Sequence, residues 1–255
     1  MSPEELEQLV KQGLERFYER RIANLSRLQL FDVLQRKNPY LLRAVGIRSA
    51  SELVQDLLKQ HILASDETIF GDAFIEPIAL AVSGGKKSSA EGIDIEVEDD
   101  ASYKAISVKS GPNIFNSSQV GKMNEQFDTL RRRLDQYLRQ VRKQFDPILG
   151  AAYGRKALPP NNSRRYRHIA GQAFWEELTG DPEFYLKLIR LMKDYPEQHR
   201  RQFEVEMDKA TNRFVRDLLN EFAEEDGTLN WEKLVEYNSG KAGQRRKHPS
   251  SSPSP

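Results

Sequence analysis

An α/β fold with a small mixed sheet and a large helical share is predicted from three stretches of the chain. Residues 92–111 hold two adjacent runs that alternate apolar and polar side chains, the period of a strand. From Ser117 or Ser118 to about Gln144, apolar residues recur at spacings of three and four, the period of a helix. Two short apolar runs come next, near 147–153 and 165–170, and helical patterns fill both flanks.

The first strand reads Gly92-Ile93-Asp94-Ile95-Glu96-Val97-Glu98 and the second Tyr103 to Gly111, with the turn composition Asp99-Asp100-Ala101-Ser102 between them. Ile93, Ile95 and Val97 fall on one face with Ile106 and Val108. Asp94, Glu96 and Glu98 fall on the other with Ser107 and Lys109. A turn centred between Asp100 and Ala101 pairs Ile95 with Ile106 and Asp94 with Ser107, with Lys109 a diagonal neighbour of Asp94. A shift of two keeps Asp94 and Lys109 on one face. An acid beside a lysine also fits a solvated cross-strand ion pair. The residues after Lys109 favour chemistry. Ser110-Gly111-Pro112-Asn113 ends the strand, and the neutral hydrogen-bonding run Asn116-Ser117-Ser118-Gln119 opens a long basic helix.

The elements before the hairpin read as helices. Ser2, Pro3 and Glu5 form a capping box, and Leu6, Val10, Leu14 and Phe17 give a stripe to about Arg21. Helices are expected at 26–35, from Pro39, and from Ser49 with Leu53, Leu57 and Leu58 inward. A further helix should start at Ser65-Asp66-Glu67 and run to Val82, kinked at Pro77. Glu76 lies just before the kink and reads as an exposed helix acid on pattern alone. Ser83 to Ser89 lacks the spacing of a phosphate loop and reads as a connector whose lysines suit DNA phosphates.

After the hairpin, the long helix carries the seam Val120, Met123, Phe127, Leu130, Leu134, Tyr137 and Val141, with Glu125 off the seam and free to face site or water. The runs near 147–153 and 165–170 return as strands that complete the sheet. His168 suits a structural role. Helices are expected at 173–178, 182–192 and 196–224, with Phe174, Trp175 and Leu178 as core. From Ser239 the tail is rich in Ser, Pro and basic residues and should be disordered, and Arg245-Arg246-Lys247 suits weak DNA attraction. The expected division is a helical region over 1–63, a core with C-terminal helices over 64–238, and the tail over 239–255.

Composition narrows the chemistry. The chain has 255 residues, no cysteine and four histidines that form no ligand motif. Disulfides and thiolate zinc sites are excluded, so metal chemistry would use oxygen ligands, favouring Mg2+ or Mn2+. The N-terminus is acidic and polar, and no run approaches a membrane span, so a cytoplasmic location is expected. The net charge of +1 is uneven. Residues 104–167 carry fourteen Lys or Arg against four acids, leaving −9 for the rest. A basic stretch next to the hairpin suits a phosphodiester substrate, although charge local in sequence need not become a patch in space.

Gly92-Ile93-Asp94, followed thirteen residues after Asp94 by Ser107-Val108-Lys109, resembles the catalytic hairpin of the PD-(D/E)xK nuclease superfamily. The string Ile106 to Asn113 with Ser117-Ser118-Gln119, the block Glu67 to Asp72, and the block Gly171 to Leu178 resemble type II restriction endonucleases within it. These blocks cover about residues 35–195. The resemblance implies a PD-(D/E)xK-like core of a small mixed sheet flanked by helices, and Mg2+-dependent hydrolysis of double-stranded DNA at a specific site, with Mn2+ as a substitute. It implies Asp94 as central metal ligand, Lys109 orienting the attacking water and steadying phosphate charge, and Glu76 as supporting carboxylate. The superfamily has an acid where Ser107 stands. Glu125, sixteen residues after Lys109, is then a conditional second metal ligand, with Glu67 and Glu96 as rivals. Asn113, Asn116, Ser117, Ser118 and Gln119 are candidate DNA contacts, or backbone caps and turns. A homodimer and a companion DNA methyltransferase encoded nearby are further expectations. A repair or structure-selective nuclease, or a catalytically degenerate DNA-binding module, are the alternatives.

Overall fold

The computed structural model describes residues 1–112 and 117–240. The elements are α1 (Pro3–Arg27), α2 (Leu30–Leu34), α3 (Pro39–Ala44), α4 (Ala50–Phe70), a π-helical turn (Gly71–Ile75), α5 (Glu76–Ser83), β1 (Lys86–Lys87), β2 (Ile95–Glu98), β3 (Ser102–Lys109), α6 (Ser117–Val141), β4 (Gln144–Ala151), β5 (Lys156–Leu158), β6 (Arg167–Ala170), α7 (Gln172–Thr179), α8 (Phe184–Met192), α9 (Tyr195–Phe222) and α10 (Trp231–Ser239). One six-stranded mixed sheet has the order β1-β2-β3-β4-β6-β5. The first three strands are antiparallel, β3, β4 and β6 are parallel, and β5 returns antiparallel to β6. This is the α/β fold expected, a small mixed sheet between helices. The two-residue β1 and the three-residue β5 are additions to it, too short to show a period in sequence.

The hairpin takes the register centred between Asp100 and Ala101, pairing Ile95 with Ile106 and Glu98 with Tyr103. Asp99 builds the turn, its Oδ1 accepting from the N–H groups of Ala101 (2.9 Å) and Ser102 (2.7 Å). Alternation then assigns Ile95, Ile106 and Val108 to one face. There they pack with Val10 and Leu14 of α1, Phe74, Ile75 and Ile78 around the π turn, and Phe174 and Trp175 of α7. Helix α6 covers the other face with Met123, Phe127 and Leu130 against Ala105, Leu149 and Tyr166.

Two expectations change here. Ile93 does not share the face of Ile95 but joins the cluster under α6. The chain turns before β2: Gly92 has a φ of +74°, a Cβ there would meet the Gln126 amide at 2.3 Å, and the Ile93 N–H bonds Ala90. Two-residue alternation holds only where the backbone is extended. The alternative of a solvated second face does not hold either, because Ser107 and Glu96 are buried there.

The helix expected to start at Ser65 instead continues α4, with the Ser65 hydroxyl donating to the Ile62 carbonyl (3.1 Å). Leu53, Leu57 and Leu58 are fully buried, and that packing carries the helix past a sequence start signal. At Pro77, which lacks an N–H, the wider π turn over Gly71–Ile75 takes the place of a simple kink. At the N-terminus of α1 the capping box forms, Ser2 N–H to Glu5 (2.7 Å) and Glu5 N–H to Ser2 Oγ (3.2 Å).

The chain divides into two compact units, one of residues 1–21 and 66–201, the other of 22–65 and 202 onward. The first holds the sheet. The second has its own core, including Leu25, Leu30, Leu53, Leu57, Phe214, Leu218 and Phe222. Helix α10 lies beyond the last helix expected from the sequence and is capped by Asn230 Oδ1 accepting from Lys233 N–H (2.8 Å). The basic tail from residue 241 lies outside the described residues. Among those described, no helix is long and apolar enough to cross a membrane.

His168 of β6 is 8% exposed, and its Nε2 has no hydrogen-bond partner among the described residues. Burial, with Lys156 and Arg164 nearby, pushes its pKa down to about 4. The folded state therefore keeps it neutral while an unfolded chain binds a proton below about 6.5. Its contribution is complete above that pH and is lost as pH falls through about 4. Relative to His168→Phe, the wild type should lose about 3 kcal/mol between pH 7 and pH 4 in denaturant titrations. Parallel stability curves for the two proteins would refute this.

Candidate active site

Because β3, β4 and β6 are parallel, their carboxyl ends lie along one edge of the sheet. Such edges are where open α/β sheets bind ligands. The antiparallel β2 starts at the same edge, and that brings Asp94 to Lys109.

Asp94 is fixed by its backbone and its side chain. Its N–H donates to the Ile106 carbonyl (2.9 Å) and its carbonyl accepts from Ser88 N–H (3.0 Å). A continued ladder would offer the Gly92 carbonyl to Val108 N–H, but the chain has turned away. Asp94 Oδ2 accepts that N–H instead, at 2.6 Å. The same oxygen lies 3.8 Å from Lys109 Nζ.

Glu76 reaches this edge as the first residue of α5, just after the π turn. Its Oε1 lies 3.3 Å from Nζ of Lys87 on β1. Asp94, Glu76 and Lys109 are each 22–32% exposed at the side chain, open enough for a ligand and dry enough to strengthen charge effects. Burial pushes the Asp94 carboxyl above its ordinary pKa. Lys109 and the Val108 N–H pull it down, Glu76 pushes it up, and Lys87 pulls it down. Two carboxylates and two ammonium groups therefore act on one another here.

The exit from β3 is pinned. Ser110 Oγ donates to the Glu67 carbonyl (3.2 Å), and Lys156 Nζ donates to the Pro112 carbonyl (2.7 Å). Gly111 admits the Tyr153 hydroxyl, which would lie 2.5 Å from a Cβ. The Glu67 carboxylate in turn acts on Tyr153 and raises its pKa.

The structure thus brings Asp94, Lys109 and Glu76 together. It does not bring Glu125. Met123, Phe127 and Leu130 of α6 face the sheet. On one flank Lys122 lies 3.4 Å from Glu91. On the other the buried Asn124 donates to Ser163 C=O (2.8 Å) and accepts from Arg165 N–H (2.9 Å). At 100° per residue Glu125 is left on the side away from the sheet, and it is exposed there. Glu96 is buried and committed, accepting from Ser88 Oγ (2.5 Å) and from the Tyr103 hydroxyl. Asn113 and Asn116 lie outside the described residues, and Ser117 opens α6. Ser118 and Gln119 are exposed on its first turn.

Ser107 is 0% exposed, and its Oγ has no hydrogen-bond partner among the described residues. It therefore does not present a ligand oxygen at the surface of the site. A buried unpaired hydroxyl costs about 1–3 kcal/mol. Ser107→Ala should match the wild type in stability or exceed it by about 1 kcal/mol in denaturant titration. A loss of more than about 1 kcal/mol would mean that the hydroxyl is paired.

Sequence reasoning places Lys87 in a connector whose lysines suit DNA phosphates, not at the carboxylates of the site. It lies in a strand of two residues, seven positions before Asp94, and no local pattern marks it. The basic stretch is also less basic in space than in sequence. Lys104 meets Asp99 and Glu177, Arg167 meets Asp146 and Glu177, Lys143 meets Glu98, and Arg165 meets Asp128.

Among the described residues no group of three or more His, Cys, Asp or Glu converges to hold a metal. Two carboxylates, Asp94 and Glu76, lie near enough for their charges to act on one another. That donor set fits Mg2+, which takes one or two protein carboxylates and completes its octahedron with water and substrate phosphate oxygens.

A family model of the type II restriction endonuclease EcoO109I matches residues 4–199, more than three quarters of the chain. No curated protein matches it.

Proposed function

We propose that this chain, which belongs to the family of the type II restriction endonuclease EcoO109I, hydrolyses DNA at a specific double-stranded site with the help of Mg2+. Membership makes it a restriction-endonuclease-like nuclease and double-stranded DNA its substrate class. The observation that carries the finer reading is the meeting of Asp94, Glu76 and Lys109 at the open edge of the sheet.

In this reading Asp94 and Glu76 hold the metal ion. A bound divalent cation would supply Lewis-acid polarisation of the phosphoryl group and stabilise charge on the leaving oxygen. The chain's own groups do the positioning. Val108 N–H fixes the Asp94 carboxylate, and Lys109 Nζ, as an ammonium, donates to a phosphate oxygen and orients the attacking water. Ammonium donors placed where charge grows lower the barrier without reorganising. Ser118 and Gln119 are offered as rim contacts to DNA, where Gln can read an adenine edge. Cutting both strands of a symmetric site suits a homodimer, acting in the cytoplasm beside a companion methyltransferase.

Plasmid DNA digested with Mg2+ should give discrete fragments, and chelation of the metal should abolish them. A smear would remove site specificity and leave a less selective nuclease. Ser107, standing where the superfamily pattern has an acid, favours one second reading: a DNA-binding module that does not cut. DNA retained on the protein with no metal-dependent cleavage on any substrate would establish it.

A further inference from the structure

Lys87 is the group in the cluster to which the proposed mechanism gives no task. Its Nζ lies 3.3 Å from Glu76 Oε1, with the lysine side chain 72% exposed and the glutamate 28%. Strand β1 pairs Lys87 with Ile95, and the next N–H along, from Ser88, bonds the Asp94 carbonyl. Lys87 is thus held one residue from Asp94 across the ladder, and its charge acts on Asp94 as well.

We infer that Lys87 is a placeholder cation: it neutralises Glu76 while no metal is bound, and a divalent cation must displace it to use that carboxylate. The inference rests on the reading of Asp94 and Glu76 as the metal ligands. With Lys109 and Lys87 present, the two carboxylates are balanced by two ammonium groups, so the cluster by itself carries no net charge. An incoming divalent cation must break the Lys87 contact and then sits beside a like charge. A lysine, on a flexible four-carbon stem, can swing away where a shorter side chain could not. The phosphate of a DNA substrate offers the displaced ammonium a new partner, so the same lysine would tie metal uptake to the presence of DNA.

The test is Mn2+ binding to the full chain without DNA, followed by the electron paramagnetic resonance of free Mn2+. Lys87→Met should bind Mn2+ about tenfold more tightly than wild type, the scale set by removing one nearby like charge. Lys87→Arg keeps the charge and should stay close to wild type. Lys86→Met makes the same change in net charge one residue away, at a lysine that pairs with Glu96, and should also stay close to wild type. Unchanged or weaker Mn2+ binding by Lys87→Met would overturn the placeholder role while leaving the metal site standing. Equal tightening by Lys86→Met would overturn it too, as an effect of net charge alone. If Asp94→Asn binds Mn2+ as well as wild type, the ligand assignment itself fails, and the placeholder role with it.

Discussion

Asp94→Asn is expected to lower Mg2+-dependent DNA cleavage by at least about 10³-fold with the fold intact. The residue is held by its backbone bonds to Ile106 and Ser88 and by Oδ2 accepting from Val108 N–H. An asparagine oxygen can take the same N–H, so the geometry survives while the charge is lost. Burial already works against that charge, since it is the largest influence on the carboxyl and raises its pKa. Replacing a half-buried carboxylate by a neutral amide should therefore leave the melting temperature unchanged or higher. Cleavage rates and thermal unfolding of the same preparation separate loss of chemistry from loss of fold. Cleavage within tenfold of wild type would mean that the metal is held elsewhere or that the nuclease site is misplaced.

Lys109→Met should lower cleavage by about 10²–10³-fold, with the loss in kcat and little change in KM. Lys109 Nζ lies 3.8 Å from Asp94 Oδ2, too long for a strong hydrogen bond. The ammonium is thus available to a phosphate oxygen or a water. Methionine is close to lysine in length and keeps an apolar stem, so the variant removes the charge more than the volume. Stability should change by no more than about 1 kcal/mol, the usual worth of a partly exposed ion pair. Lys109→Arg should not restore the rate, because a planar fork cannot put its charge where a compact ammonium sits. A rise in KM at constant kcat would instead make Lys109 a binding residue only.

The paired part of the hairpin, Ile95–Glu98 with Tyr103–Ile106, was legible to the residue, whereas the expected pairs Asp94–Ser107 and Ile93–Val108 are not part of the ladder. Its register follows from the position of a four-residue turn and from alternation with a period of two, and both are properties of adjacent residues. The meeting of Asp94 with Lys109 came from that register. Helix α6 was legible in its buried seam, although Tyr137 and Val141 are 39% and 36% exposed. The tyrosine turns its hydroxyl to Glu98 (2.7 Å) in place of core packing.

What the site lacked in sequence was everything set by packing across the sheet. Ile93 changed faces because Gly92 turns the chain before β2 starts at Ile95. Ser107 became inaccessible because α6 lies over that face, which no alternation within β3 can reveal. Glu125 was off the apolar seam by sequence, but which flank faced the site depended on where Lys122 and Asn124 found their partners. The basic stretch lost part of its excess charge to Glu98, Asp99 and Glu177, all outside the window that defines it.

The sequence by itself determined the pairing of Ile95–Glu98 with Tyr103–Ile106, the capping of α1 and the seam of α6, because each rests on local periodicity or on a few neighbouring hydrogen bonds. For Glu76 the residue pattern alone gave only an exposed helix acid and its place came from the family resemblance, whereas the tertiary structure alone decided that Lys87 joins Asp94, Lys109 and Glu76. Those residues come from a helix start and a two-residue strand, brought to the sheet edge by the π turn and by apolar packing along α5. Sequence spacing cannot encode such an approach, because it is set by how α5 packs on the sheet and by where β1 pairs with β2.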